Sequence, residues 1–338
     1  MQAFFDDFCW RVPNAGYRWV EGRVESGSQA DAPEPLLGRV DPTDVGQQVL
    51  QPFVEYPDLY LTFANTDPTP AGVLAFANRF GTLGPAVESK IIPGSVTGDD
   101  AAALSWSLGA EPYRLWRAHV LWLRHLITLW QSARQGDTDQ LARWIVWDRR
   151  GLSYRVPRGV AACVTQVAPR WLFRPRPGQP RRLGYPGHSE FTMYNLGQTV
   201  ARGDMASAAE IFVISAVNEK LSVTAAPQLY WSFLTRETSL HGYPQGLLDA
   251  MYLQFAWSIE GNRQYRQCPV CQKWFVLAPG VNRSNRLTCS AGCRVRQSRM
   301  RQDRARQLHA EGKSFREIAR EIGSKVAKVK EWVRKQEE

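Results

Sequence analysis

Cys268, Cys271, Cys289 and Cys293 stand as C-x2-C, a seventeen-residue gap and C-x3-C, the ligand spacing of one tetrahedral zinc. Each short pair can deliver two sulfurs to one ion from a tight turn, and the longer segment is the loop that brings the pairs together. Four thiolates close the coordination sphere and leave no position for water or substrate. The role expected of a single zinc is therefore structural, helping to fold a segment too small to bury its own core. Two disulfides or four free thiols would use the same residues. The acidic opening Met1-Gln2-Ala3-Phe4-Phe5-Asp6-Asp7 has neither the basic stretch nor the apolar core of a signal peptide, which points to a cytoplasmic chain and favours metal over disulfides. Cys9 and Cys163 read as ordinary thiols.

The elements that must hold this site lie in the most basic part of the chain. Residues 263–338 carry 19 Lys and Arg against 7 Asp and Glu, whereas residues 1–262 carry 23 against 25, so the whole positive excess is C-terminal. From Asn262 to Gln302 there is no acidic residue, and such a surface attracts polyanions in a salt-sensitive way. Directly after Cys293, the run Arg294 to Arg306 holds six arginines and one aspartate among helix formers. They cannot share one helical face, and Arg294, Arg296, Arg299 and Arg301 are expected to meet phosphates, with the metal site fixing where their helix begins. Leu308 to Gln336 then reads as two further helices around a tight turn. Ser314 with Glu317 makes a capping box, Ile318, Ala319 and Ile322 have core spacing, and Gly323 stops the first helix. Ser324 is the expected N-cap of the second, with Val326, Val329, Trp332 and Val333 as its apolar stripe. Lys325, Lys328, Glu331 and Lys335 form the polar face, flanked by Ala327 and Lys330. Lys325, Ala327, Lys328 and Glu331 are the candidates to face base edges in a major groove.

Gly312-Lys313-Ser314-Phe315-Arg316-Glu317-Ile318-Ala319-Arg320-Glu321-Ile322-Gly323-Ser324 resembles the helix-turn-helix of resolvase- and sigma-type DNA-binding domains. The resemblance implies a recognition helix over Ser324–Trp332 whose first turn lies nearest the bases. The cysteine segment resembles the bacterial CGNR zinc finger through Cys268-Pro269-Val270-Cys271, Trp274-Phe275, and Arg286 ahead of Cys289-Ser290. That family is found at the C-terminus of transcription regulators with a helical N-terminal domain. It departs from the family in its short C-x3-C pair and in Cys293-Arg294-Val295-Arg296, which stands in place of the Cys-Gly-Asn-Arg signature.

Residues 1–262 are less explicit. Residues 11–57 suggest a few strands or irregular structure, with Tyr17-Arg18-Trp19-Val20 among the β-favouring runs. Helices are expected over Pro70–Phe80, Glu111–Gln135, Asp139–Trp147, Asp204–Leu221 and Gln245–Gly261, with the tryptophans as core. Ala118–Leu123, broken by Arg124 and His125, reads as part of a buried helix, and no apolar run reaches the roughly eighteen residues of a membrane span. The Pro-, Gly- and Arg-rich stretch 169–188 reads as a loop. There is no P-loop, dinucleotide-binding glycine pattern, H-E-x-x-H or G-x-S-x-G, and the five histidines, His188 included, read as structural or surface residues.

The reading is a mainly helical α+β N-terminal domain (1–262) for sensing, oligomerisation or partner binding, a four-cysteine zinc module (263–297) and a three-helix helix-turn-helix domain (298–338). Double-stranded DNA is the expected partner, a homodimer the assembly that would match a lone helix-turn-helix, and a protein or small molecule the effector of residues 1–262. The function expected is a sequence-specific bacterial transcription regulator. Two alternatives use the same tail: RNA binding, and an enzyme or toxin in residues 1–262.

Overall fold

A computed structural model of the chain describes residues 8–24, 33–41, 43, 45–85, 90, 94–105, 110–148, 151–155, 157–160, 203–224, 227–231, 238–242, 244–277 and 286–334. The expectations placed on Met1–Asp7, Cys163, the 169–188 stretch, His188 and Lys335 lie outside the described residues. Contacts divide the chain into two compact units, Met1–Asn262 and Arg263–Glu338, and both mix helix with sheet.

The first unit begins with β1 (Trp10–Pro13), β2 (Tyr17–Gly22), β3 (Glu34–Arg39) and β4 (Gln47–Leu50). β1 pairs with β4, and β2 with β3, which also takes the two-residue β5 (Glu111–Pro112); all pairings are antiparallel. Three helices follow β4: α1 (Pro52–Glu55), α2 (Leu59–Ala64) and α3 (Pro70–Phe80). Thr69 caps α3 by accepting from the Gly72 N–H at 3.2 Å, and Gly81, at φ 92°, stops it. After α4 (Asp99–Ser105), the long α5 (Tyr113–Gln135) forms the centre of the unit. Its Trp116, Val120, Trp122, Leu123, Leu126, Ile127 and Leu129 are all fully buried, so the tryptophans are core as expected. α5 starts two residues later than the periodicity predicts. Pro112 is extended at its N-cap, and the buried Glu111 carboxylate turns inward to accept from the N–H groups of Leu83 (3.1 Å) and Gly84 (2.7 Å) and from Trp116 Nε1 (3.0 Å).

The helix expected over Asp139–Trp147 is a short α6 (Thr138–Ala142), after which the chain turns into β6 (Ile145–Asp148), paired with β7 (Gly151–Tyr154). Ile145, Val146 and Trp147 favour strand over helix, and Ile145 reaches the core in that form. α7 (Met205–Thr224), the β8–β9 hairpin (Pro227–Trp231, Thr238–Gly242) and α8 (Leu247–Glu260) complete the unit. His119 and His125 are buried in α5, where burial lowers both to about 3; His125 Nε2 meets the Tyr154 hydroxyl. Among the described residues no helix is long and apolar enough to cross a membrane.

The second unit opens with the antiparallel hairpin β10 (Gln264–Gln267) and β11 (Trp274–Leu277) and continues with α9 (Ala291–Ala310), α10 (Phe315–Glu321) and α11 (Val326–Arg334). The boundary expected between residues 297 and 298 falls inside α9, which runs unbroken through it because 291–310 contains neither proline nor an interior stop. One helix therefore serves both the cysteine cluster and the helical core. That core is Ala305, Leu308, Ile318, Ala319, Val329 and Trp332, with Phe315, Ile322 and Val326 packed against it.

Candidate metal centre and nucleic-acid interface

The hairpin loop 268–273 carries the first cysteine pair. Gln267 faces Trp274 at the end of the ladder, the Cys268 N–H donates to the Lys273 carbonyl at 2.9 Å, and the Gln272 N–H returns to the Cys268 carbonyl at 2.8 Å. Closing so tight a loop puts Gln272 at φ 57°, a left-handed conformation that costs little for a polar residue in a turn. The second pair rides on the start of α9. Cys289 precedes the N-cap Ser290, whose Oγ accepts from the Cys293 N–H at 3.2 Å, so the helix begins between its two ligands.

Arg286 ties the halves together. Its guanidinium donates to the carbonyls of Thr288 (2.9 Å) and Cys289 and lies 5.2 Å from the centroid of the buried Phe275 ring. Arg266 of the hairpin donates to the Arg286 carbonyl at 2.5 Å. In the sequence Arg286 enters only through a family likeness, and the Ser290 cap is hidden because its neighbours are already explained as ligands.

The four sulfurs lie within 4.8 Å of one another, with Cys271 to Cys289 at 3.4 Å and Cys289 to Cys293 at 3.6 Å. A tetrahedron with metal–sulfur bonds of about 2.3 Å places sulfurs roughly 3.8 Å apart, whereas a disulfide needs about 2.05 Å. The four cysteines are not joined in disulfides, and their spacing suits a metal ion. Burial opposes ionisation of Cys268, but hydrogen bonds from the backbone of Cys289, Cys271 and Val270 outweigh it and hold the thiol down to about 6. Burial and contact with the thiols of Cys271 and Cys293 push Cys289 up to about 12. A bound cation would favour the thiolate form of its sulfur ligands. The N-terminus of α9 adds its partial positive charge at Cys293.

Beyond the cluster, the cations of the second unit sort into two groups. Arg304 pairs with Glu321 (3.0 Å) and Glu311 (3.9 Å), Lys313 with Glu321 (2.6 Å), and Arg306 with Asp303 (3.2 Å) while also donating to the Trp332 carbonyl. Glu317 closes the capping box with Ser314. These groups brace the three helices. Arg294, Arg296, Arg299 and Lys325 are exposed, Arg301 is half-buried, and none of the five has an ion pair among the described residues.

The turns between the three helices follow one plan. Gly312 (φ 87°) and Gly323 (φ 62°) take the left-handed conformation after α9 and α10, and the next residues bond back, Lys313 N–H to the Leu308 carbonyl and Ser324 N–H to the Ala319 carbonyl. Both are the helix stop that glycine permits. The N-cap expected at Ser324 moves by one residue: the N–H groups of Lys328 and Val329 donate to the Lys325 carbonyl, and Ser324 is used in the preceding stop. At about 100° per residue, Ala327 and Glu331 lie opposite the buried Val329 at the centre of the exposed face. Lys328, expected at that centre, is on its flank with Nζ 5.4 Å from the Trp332 ring centroid.

Taken together, this is a small cysteine-cluster module fused through one helix to a compact three-helix unit. No family model, curated protein or solved structure matches the chain.

Proposed function

We propose that residues 263–338 form a zinc-stabilised module that binds double-stranded DNA, and that the protein is a sequence-specific transcription regulator. In this reading α10 and α11 are the helix-turn-helix, and the exposed side of α11, with Ala327, Glu331 and Lys328, faces base edges together with Lys325 at its N-cap. One zinc on Cys268, Cys271, Cys289 and Cys293 fixes the start of α9 and so the arginines that meet phosphates.

The observation that carries the reading is the sorting of charge. Asp303, Glu311, Glu317 and Glu321 are engaged in bracing the fold, while Arg294, Arg296, Arg299, Arg301 and Lys325 are left for an external anion. Concentrated positive charge of this kind is self-repelling in isolation and complementary to a phosphate backbone. Duplex DNA is favoured over single-stranded RNA because the outward side of α11 offers Ala327, Glu331 and Lys330 and no aromatic platform for unstacked bases.

Competition between a duplex DNA pool and single-stranded RNA for the full-length, zinc-loaded protein tests this choice. Displacement of labelled duplex by DNA at far lower competitor concentrations than by RNA is expected. Preference for RNA would overturn it.

A further inference from the structure

The four arginines at the start of α9 lie on two opposite stripes. At about 100° per residue, Arg294 and Arg301 fall within roughly 20° of each other on the side of Ala305 and Leu308, and Arg296 and Arg299 centre about 180° away. A helix that meets one phosphate strand, or a flat acidic surface, needs cations on one side only. Here there are two cationic sides, with no acidic residue from Ala291 to Gln302, so the complementary partner has two anionic walls with a helix-wide space between them. Two phosphate strands bounding a groove have that form.

Dimensions choose the groove. A helix with its side chains is about 10–12 Å across; the major groove of B-form DNA is about 12 Å wide and the minor groove about 6 Å. The deep, narrow major groove of A-form RNA does not admit it.

The two stripes midway between the arginine pairs are also unequal. One carries the metal ligand Cys293, whose turn packs on the cysteine hairpin, then Met300, 55% exposed, and Arg304, which is tied to Glu321, so its first turn is covered. The other carries Val295, Ser298 and Gln302, with Val295 51% exposed and Gln302 Nε2 3.4 Å from Ser298 Oγ. We propose that the first half of α9 is a second groove-reading element. It inserts into the major groove of B-form DNA, with Arg294 and Arg301 on the phosphates of one strand, Arg296 and Arg299 on those of the other, and Val295, Ser298 and Gln302 facing base edges. Glutamine suits adenine and an aliphatic side chain the thymine methyl, so this element contributes an A·T-containing segment to the site. The proposal rests on the duplex-DNA reading above.

Ethylation interference on both strands of a bound duplex, read with the full-length zinc-loaded protein, tests it. In the wild type, interfering phosphates are expected on both strands facing each other across one major groove. The R294A/R301A variant should lose those on one strand and R296A/R299A those on the other, each lowering the slope of log affinity against log salt by about two. Gln302→Ala should lose about tenfold in discrimination at one A·T pair and leave other positions unchanged. If both pairs map to the same strand, or one pair leaves slope and interference untouched, groove insertion is wrong while DNA binding stands. If the wild-type protein binds no duplex, both readings fall together.

Discussion

If the cysteine cluster holds zinc as proposed, removing it should unfold one part of the C-terminal unit and spare the other. The cysteine segment buries Tyr265, Phe275 and Leu277, which at about 1.5–3 kcal/mol each supply roughly 5–9 kcal/mol. A structural zinc site, if the cluster holds one as proposed, is worth about 10–16 kcal/mol near pH 7, more than that small core, so the hairpin and the second cysteine pair would depend on the ion. The α9–α11 core contains Leu308, Ile318, Val329 and Trp332, all buried and none a ligand, and its turns are closed by their own backbone hydrogen bonds. Loss of the metal frees the segment ahead of α9 and weakens the Ser290–Cys293 cap, worth about 1 kcal/mol, so α9 should fray inward from Ala291 but not past Ala305. Hydrogen exchange followed by peptide mass analysis, with and without a strong chelator, reads this directly. Protection over 264–277 and 291–303 should fall by orders of magnitude, while peptides covering 308–333 change little. Equal loss in both regions, or loss in neither, would refute the division of labour.

Other outcomes follow from the same structure. Ser314→Ala removes the hydroxyl's half of the capping box, the bonds of Ser314 Oγ to the Glu317 N–H and carboxylate, and leaves the Ser314 N–H on Glu317; it should cost about 1 kcal/mol, read as a lower unfolding midpoint of an isolated 263–338 fragment or of the corresponding transition in the whole chain. Hydrogen bonds from Ser314 hold Glu317 below the usual carboxylate range, and those from Lys313 and Arg304 do the same for Glu321; stability from these groups is present above the unfolded carboxylate pKa and lost as pH falls through the lower folded values, so an E317Q/E321Q variant should show a flatter acid limb in thermal melts. Burial holds His119 and His125 at about 3, so the N-terminal unit should lose stability as pH falls from the ordinary histidine range near 6.5 towards 3, and His119→Phe should reduce that loss in acid titrations followed by tryptophan fluorescence. Leu308→Ala should destabilise the three-helix core by about 2–5 kcal/mol while the protein still binds one zinc, measured by competition with a chromogenic chelator.

The parts of the fold legible in the sequence are those with short-range causes. The α3 helix shows its limits through the Pro70–Phe80 apolar pattern and Gly81, the capping box through Ser314 and Glu317, and the cysteine cluster through its spacing. Features set by pairings that residue type alone does not specify were hidden. β6 replaces a helix because Ile145–Asp148 pairs with Gly151–Tyr154. Glu111 drops out of α5 because the backbone of Leu83 and Gly84 needs an acceptor. The N-cap of α11 shifts from Ser324 to Lys325, whose carbonyl takes the first N–H groups of the helix while Ser324 belongs to the preceding stop. At the site, residue types reveal which groups can hold a metal, but which cations are left over depends on pairings such as Arg304 with Glu321, seventeen residues apart, that only the packed helices create.

Selection of bound fragments from random duplex DNA by the purified, zinc-loaded, full-length protein at near-physiological salt tests the central claim most directly. Enrichment of one motif, abolished by the K325A/K328A double variant, is the result expected of a sequence-specific regulator, and an inverted repeat in that motif would show that it binds as a dimer. Recovery of fragments with no shared sequence, unchanged by the double variant, would contradict the account and reduce the C-terminal unit to a general polyanion-binding module.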